Sequence, residues 1–206
     1  MKKIELSTGK LPIIEAFYTI QGEGHHAGKP AYFIRLGGCD VGCHWCDVKE
    51  SWDASLHPLV DVVKIADKAT DTNCKLAVIT GGEPLLYNLD LLTSELKKRG
   101  IKTHIETSGV HPLSGNWDWI CFSPKKFKKP LDEFFVNSDE LKVVIYNKSD
   151  FKWAEELVTR VEGQTIMSLQ PEWDRSHIVL PLIIDYVKEN PHWEISLQIH
   201  KFMNIP

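Results

Sequence analysis

The sequence predicts an α/β protein built as a single-domain, partial (open) parallel β/α barrel. Short β-rich runs alternate with helix-periodic stretches through most of the 206 residues, and the polar signatures fall where those runs end. Six or seven strands are expected, too few for a closed eight-stranded barrel. A chain of this length buries enough surface to fold as one domain, residues 1–206, without disulfide staples.

Residues 31–36 read as the first core strand. Residues 58–71 place Leu59, Val62, Val63 and Ala66 at helical spacing, and residues 75–80 return to a strand. A second helix, 90–99, has Asn88 or Asp90 near its N-cap and Gly100 as its stop, before a strand at 102–106. Further strands are expected at 119–122, 141–146, 166–169 and 194–199, with helices at 151–161 and 178–190. No repeat, low-complexity tract or linker interrupts the rhythm.

Composition narrows the function. With 43% hydrophobic and 25% charged residues the chain is ordinary for a globular protein, and its net charge of -4 argues against a nucleic-acid partner. Lys125-Lys126-Phe127-Lys128-Lys129 is a local basic exception, a solvated loop or, at one lysine, a contact for a small anion. The opening Met1-Lys2-Lys3-Ile4-Glu5-Leu6 runs into polar Ser7-Thr8-Gly9-Lys10 and lacks the apolar core of a signal peptide. No apolar run is long enough to span a bilayer, so no membrane partner is expected. A cytoplasmic protein is predicted, in which cysteines serve as ligands or free thiols.

Three of the five cysteines lie within eight positions, as Cys39-x3-Cys43-x2-Cys46, after Leu36-Gly37-Gly38. Three thiolates on one loop can hold three irons of a cubane and leave the fourth open to a small molecule. The same cysteines with His44 or a distant histidine would also make a closed zinc site. Zinc, however, gives no reason for the other strand-end signatures: Gly81-Gly82-Glu83-Pro84, Glu106-Thr107-Ser108-Gly109 and Ser123-Pro124-Lys125. Cys74 and Cys121 sit in apolar runs and read as small buried hydrophobes.

The cysteine loop, with aromatic Trp45 before its third cysteine, and Gly81-Gly82-Glu83-Pro84 together resemble the radical S-adenosylmethionine superfamily. The resemblance narrows to the 7-carboxy-7-deazaguanine synthase family through Phe17-Tyr18-Thr19-Ile20-Gln21-Gly22-Glu23-Gly24, Phe33-Ile34-Arg35-Leu36, Cys46-Asp47, Thr80 and the run from Gln198 to Pro206. It spans the chain, with an N-terminal substrate-binding segment and a cluster loop at 37–50.

That resemblance implies a lyase. A [4Fe-4S] cluster on Cys39, Cys43 and Cys46 cleaves S-adenosylmethionine, and the resulting radical takes hydrogen from 6-carboxy-5,6,7,8-tetrahydropterin. Ring contraction and ammonia release then give 7-carboxy-7-deazaguanine for queuosine-type 7-deazapurine biosynthesis. It implies that Ile20, Gln21, Gly22 and Thr80 contact the pterin and that Arg35 grips its carboxylate, which a guanidinium can do bidentately. The carboxylate of Pro206 is expected to fold back toward the same ring.

On the S-adenosylmethionine side the resemblance implies Trp45, Cys46, Asp47, Gly82, Ser123 and Lys125, the last facing the methionine carboxylate. Glu106 and Ser108 are expected at the ribose hydroxyls, although a strand-ending turn would use them too, and Gln170 with Pro171 nearby. His200 is a substrate-side or a structural residue. Val48 stands where the family commonly has a magnesium-binding threonine. An isopropyl group cannot ligate a hard cation, so weakened or rearranged magnesium use is expected, with Asp47 or Glu50 as compensating ligands. A flavodoxin or similar electron donor and a homodimer are also implied. A glycyl-radical-enzyme activase and a non-enzymatic zinc protein are the alternatives.

Overall fold

The structure is a computed structural model that describes residues 9–206; the opening residues 1–8, which bear on the signal-peptide reading, lie outside the described residues. The strands are β1 (Lys10–Ile20), β2 (Pro30–Leu36), β3 (Leu59–Asp61), β4 (Leu76–Gly81), β5 (Lys102–Thr107), β6 (Trp119–Phe122), β7 (Glu140–Ile145), β8 (Ile166–Pro171) and β9 (Trp193–Ile195). Among the described residues they form a nine-stranded sheet in the order β3-β1-β2-β4-β5-β6-β7-β8-β9. From β2 to β9 the pairings are parallel, giving seven parallel strands in an open barrel, as expected.

The helices are α1 (Val62–Asp71), α2 (Asp90–Lys98), α3 (Glu133–Asn137), α4 (Ser149–Val158), α5 (Ser176–Glu189) and α6 (Ile199–Met203). In α1 the Asp61 carboxylate accepts from the Val63 N–H, and Val62, Ile65, Ala66 and Ala69 form its buried stripe. Gly100, at a φ of +70°, ends the turn after α2, as expected.

Strand alternation divides the sheet into two unlike faces. Ile34, Leu36, Ile79, Ile105, Phe122, Leu141, Val143, Ile145 and Leu169 are fully buried in the main apolar core. Burying each such side chain is worth about 1.5–3 kcal/mol. The alternate residues Arg35, Thr80, Glu106, Lys142 and Gln170 line the concave face instead. The segment joining β1 to β2 folds into that concavity, where the Gly24 N–H reaches Ser196 Oγ at 2.9 Å and the His25 N–H reaches Glu140 Oε2 at 3.2 Å. Gly24 has a φ of +62°, and a Cβ there would lie 2.6 Å from Glu140 Oε1.

Three expectations need correction. β1 was not foreseen: Pro12 and Glu15 interrupt its pattern, and its pairing with β2, shifted between Ile13 and Glu15, is a long-range choice. The first helix begins at Val62 rather than at 58, because residues 59–61 pair with β1. The last strand covers only Trp193–Ile195, not 194–199. The Ser196 N–H still bonds Leu169 O, but Ile199 N–H turns to Gly22 O at 2.9 Å and starts α6.

Candidate active site

A cavity of about 270 Å³ opens at the C-terminal ends of the parallel strands. On one wall the loop after β2 carries Cys39, Cys43 and Cys46. It is held by backbone bonds: Gly38 N–H to Ser51 O (2.6 Å), Cys39 N–H to Trp52 O (3.2 Å) and Cys46 N–H to Cys43 O (3.1 Å). Asp40 accepts from Lys128 Nζ at 2.5 Å and lies 3.0 Å from His111 Nε2, so one side chain between the cysteines is tied to two distant segments. Val41, Cys43 and Val110 form a small apolar cluster against Cys39, Trp45 and Cys46.

The thiols suit a metal cluster. Burial pushes the Cys43 thiol up to about 11, with Lys125 opposing and Cys39 and Cys46 adding to the rise; burial also raises Cys39. Three thiolates that repel one another on one wall are stabilised by a cationic centre between them, and metal binding displaces their protons. Zinc draws its donors to about 2.0–2.3 Å of a single point, whereas a cubane takes each thiolate on a different iron. His44 instead packs edge-on against Phe127 and Tyr146, each with ring centroids 5.2 Å away.

Gly82 locks the turn after β4 to the cysteine loop. Its N–H donates to Leu36 O at 2.9 Å and the Glu83 N–H to Gly38 O at 2.8 Å. Glu83, only 1% exposed, accepts from Leu85 N–H (3.1 Å), Ser108 N–H (2.9 Å) and the hydroxyls of Thr107 and Ser108. This carboxylate joins the two strand ends that carry the glycine motif and the Glu-Thr-Ser-Gly motif.

The floor is a buried polar network. Lys142 Nζ lies 2.5 Å from Glu23 Oε2 and 2.7 Å from Glu106 Oε2. Gln21 Nε2 donates to Glu106 Oε1 at 2.9 Å, the Glu23 N–H to Gln21 Oε1 at 3.1 Å, and Gln198 Nε2 to Glu23 Oε1 at 2.7 Å. Burial works to raise the Glu23 carboxyl, but the Lys142 charge and the Lys142 and Gln198 hydrogen bonds hold it down at about 2. The stabilisation from Glu23 is therefore present above its ordinary 4.5 and is lost as pH falls toward 2.

Every residue expected at the cofactor or substrate lines this one cavity: Ile20, Gln21, Gly22, Arg35, Thr80 and Pro206, with Trp45, Asp47, Gly82, Glu106, Ser108, Ser123, Lys125, Gln170 and the three cysteines. Several also have protein partners. Arg35 Nε pairs with Glu15 Oε1 at 2.6 Å on the half-open side of the sheet, and Lys125 Nζ bonds Ser123 O and Oγ, both at 2.6 Å. Gln170 Oε1 accepts from Ser196 Oγ at 2.7 Å, Asp47 faces Lys201 Nζ at 3.3 Å, and Pro206 O accepts from Thr19 Oγ1 at 3.1 Å. Val48, Pro171 and His200 also reach the wall, whereas Glu50 is exposed outside it.

Sequence reasoning missed the roles of Glu23, Glu83, Lys142 and Gln198. Lys142 carried a signal, a charge set within the apolar run 141–145 of β7; the others look like ordinary turn residues. In the basic run Lys126 and Lys129 are exposed, as in a solvated loop, and two of its lysines also make ion pairs, Lys126 with Asp150 and Lys128 with Asp40.

An open parallel barrel with a three-cysteine loop after its first parallel strand and a Gly-Gly-Glu-Pro turn after the second defines a radical S-adenosylmethionine domain, and residues 33–127 match the Radical SAM superfamily. More narrowly, the chain belongs to the 7-carboxy-7-deazaguanine synthase family. It is 53% identical to the protein of that name from Flavobacterium psychrophilum, over 100% of this chain and 99% of the relative. Against the one from Synechocystis it is 43% identical, over 98% of this chain and 96% of the relative. The crystal structure of QueE from Escherichia coli matches with a TM-score of 0.81 at 29% identity, over 91% of this chain and 93% of that one.

Proposed function

We propose that this chain converts 6-carboxy-5,6,7,8-tetrahydropterin to 7-carboxy-7-deazaguanine, as a radical S-adenosylmethionine carbon–nitrogen lyase in queuosine-type biosynthesis. The observation that carries this reading is the juxtaposition in one cavity of the cysteine loop, the glycine turn and the Gln21–Arg35 wall. When bound, S-adenosylmethionine and a cluster on Cys39, Cys43 and Cys46 supply the hydrogen-abstracting radical. The protein's own work is orientation and exclusion of water. Neither the glycyl-radical activase nor the zinc protein is favoured, because relatives matching the whole chain carry the synthase name.

In this reading the chain acts as one radical domain, with the β1–β2 segment for substrate and residues 37–50 for the cluster. Arg35, only partly engaged by the exposed Glu15, turns its guanidinium to the pterin carboxylate, while Ile20, Gln21, Gly22, Thr80 and Pro206 hold the ring. Lys125 faces the methionine carboxylate; burial lowers its pKa and favours its pairing with an anion. Trp45, Cys46, Asp47, Gly82 and Ser123 complete that side, with Glu106, Ser108 and Gln170 at the ribose.

A cytoplasmic homodimer reduced by a flavodoxin-like donor completes the proposal; among the described residues no helix is long and apolar enough to cross a membrane.

The test is anaerobic turnover of the iron- and sulfide-reconstituted protein with the pterin, S-adenosylmethionine and reductant, followed by mass. Product is expected from the parent and none from Cys43→Ala; a parent that holds about four irons and binds the pterin but forms no product would refute the reading. Magnesium use is expected to be weakened by Val48. Chelation should lower turnover about two- to tenfold without abolishing it, and unchanged turnover after metal stripping would sink that expectation.

A further inference from the structure

We infer that Lys142 is a positioning residue for substrate recognition, whose ammonium pins Glu23 and Glu106 and through them fixes the Gln21 amide in one orientation. The inference rests on the functional reading above and concerns a residue which that reading leaves without a role.

Lys142 is 2% exposed and lies on the concave face of β7, bonded to one oxygen of Glu23 and one of Glu106. The second oxygen of Glu106 accepts from Gln21 Nε2, and the Glu23 backbone N–H donates to Gln21 Oε1. The amide is therefore held at both ends. Flipping it would set its oxygen against a carboxylate and its NH2 against an N–H, two repulsions in a buried place. Held this way, Gln21 keeps one free N–H and one free oxygen lone pair at a fixed spacing. That pair complements the adjacent carbonyl and N–H on the pyrimidinone edge of a pterin.

Stability does not explain the arrangement. One buried ammonium between two part-buried carboxylates leaves a net charge of about -1 largely out of bulk water, and such groups are often replaced by apolar side chains without loss of stability. Geometry does explain it, since Glu23 and Glu106 come from different segments and, among the described residues, Lys142 is the side chain that bonds both carboxylates. Gln198 secures the remaining Glu23 oxygen and ties the last loop to the same point.

Lys142→Met matches the four-atom apolar stem and removes the ammonium. In anaerobic reconstituted protein, its Kd for 6-carboxytetrahydropterin is expected to rise about tenfold or more, with iron content unchanged and the Kd for S-adenosylmethionine, reached from Lys142 through Glu106 alone, rising no more than about threefold. A general packing defect would weaken both ligands to the same degree, and that result, like an unchanged pterin Kd, overturns the inference. Should the single variant not fold, K142M/E23Q removes one carboxylate with the ammonium and restores the floor's charge; the same split is expected of it. Failure of both variants to fold would make Lys142 a structural residue and overturn the inference. A parent protein that does not bind the pterin at all would instead reject the functional reading itself.

Discussion

Gly82→Ala is expected to leave turnover below about 1% of the parent and to lower Tm by about 6–12 °C, taking about 3 kcal/mol of destabilisation and about 2–4 °C per kcal/mol for a chain of this size. A Cβ at this position would lie 2.1 Å from Gly38 O and 2.9 Å from Cys39 Cβ. The first of these is backbone and cannot swing aside as a long side chain does. Relief requires the turn after β4 to move off the cysteine loop, which breaks the Gly82–Leu36 and Glu83–Gly38 bonds. The thiols then lose their common wall, so iron retained after reconstitution should fall with activity. A variant with parental Tm and iron content would show that the close approach is not needed.

Glu83→Ala is the second large effect. Four donors, two backbone and two hydroxyl, converge on this carboxylate inside the protein. Each buried donor left unmatched costs about 1–3 kcal/mol, and partial repair by water brings the expected loss to about 3–5 kcal/mol. Urea unfolding measures it directly. Glu83→Gln should recover part of the loss, since one oxygen remains, but its NH2 must face a donor. Equal stability of the parent and Glu83→Ala would mean that the cluster of donors is satisfied elsewhere.

The parallel strands were legible in the sequence because each is a short apolar run closed by a polar tip. The run 119–122 coincides with β6, and most others agree within two residues. Their tips were legible as a site because Gly-Gly-Glu-Pro and Ser-Pro-Lys are unusual chemistry at strand ends. β1 was not, since its alternation is broken by Pro12 and Glu15 and its stability comes from partner residues 10 to 23 positions away. Nor was the link between Glu83 and Ser108 visible. Polar residues in a turn look alike whether they face a ligand or one another, and here Ser108 bonds Glu83 with both its backbone N–H and its hydroxyl. Glu106 shows the same ambiguity, expected at a ribose yet bonded to Lys142 and Gln21.

The bonds Thr19 to Pro206, Glu23 to Gln198 and Asp47 to Lys201 each join the first quarter of the chain to its last few residues. Closing loops this long carries a large entropic cost before any contact is made, which slows folding. The pocket therefore belongs to the end of the folding path rather than to its start. During synthesis the cysteine loop leaves the ribosome well before residues 198–206, so these three ties can close only once the end of the chain is free.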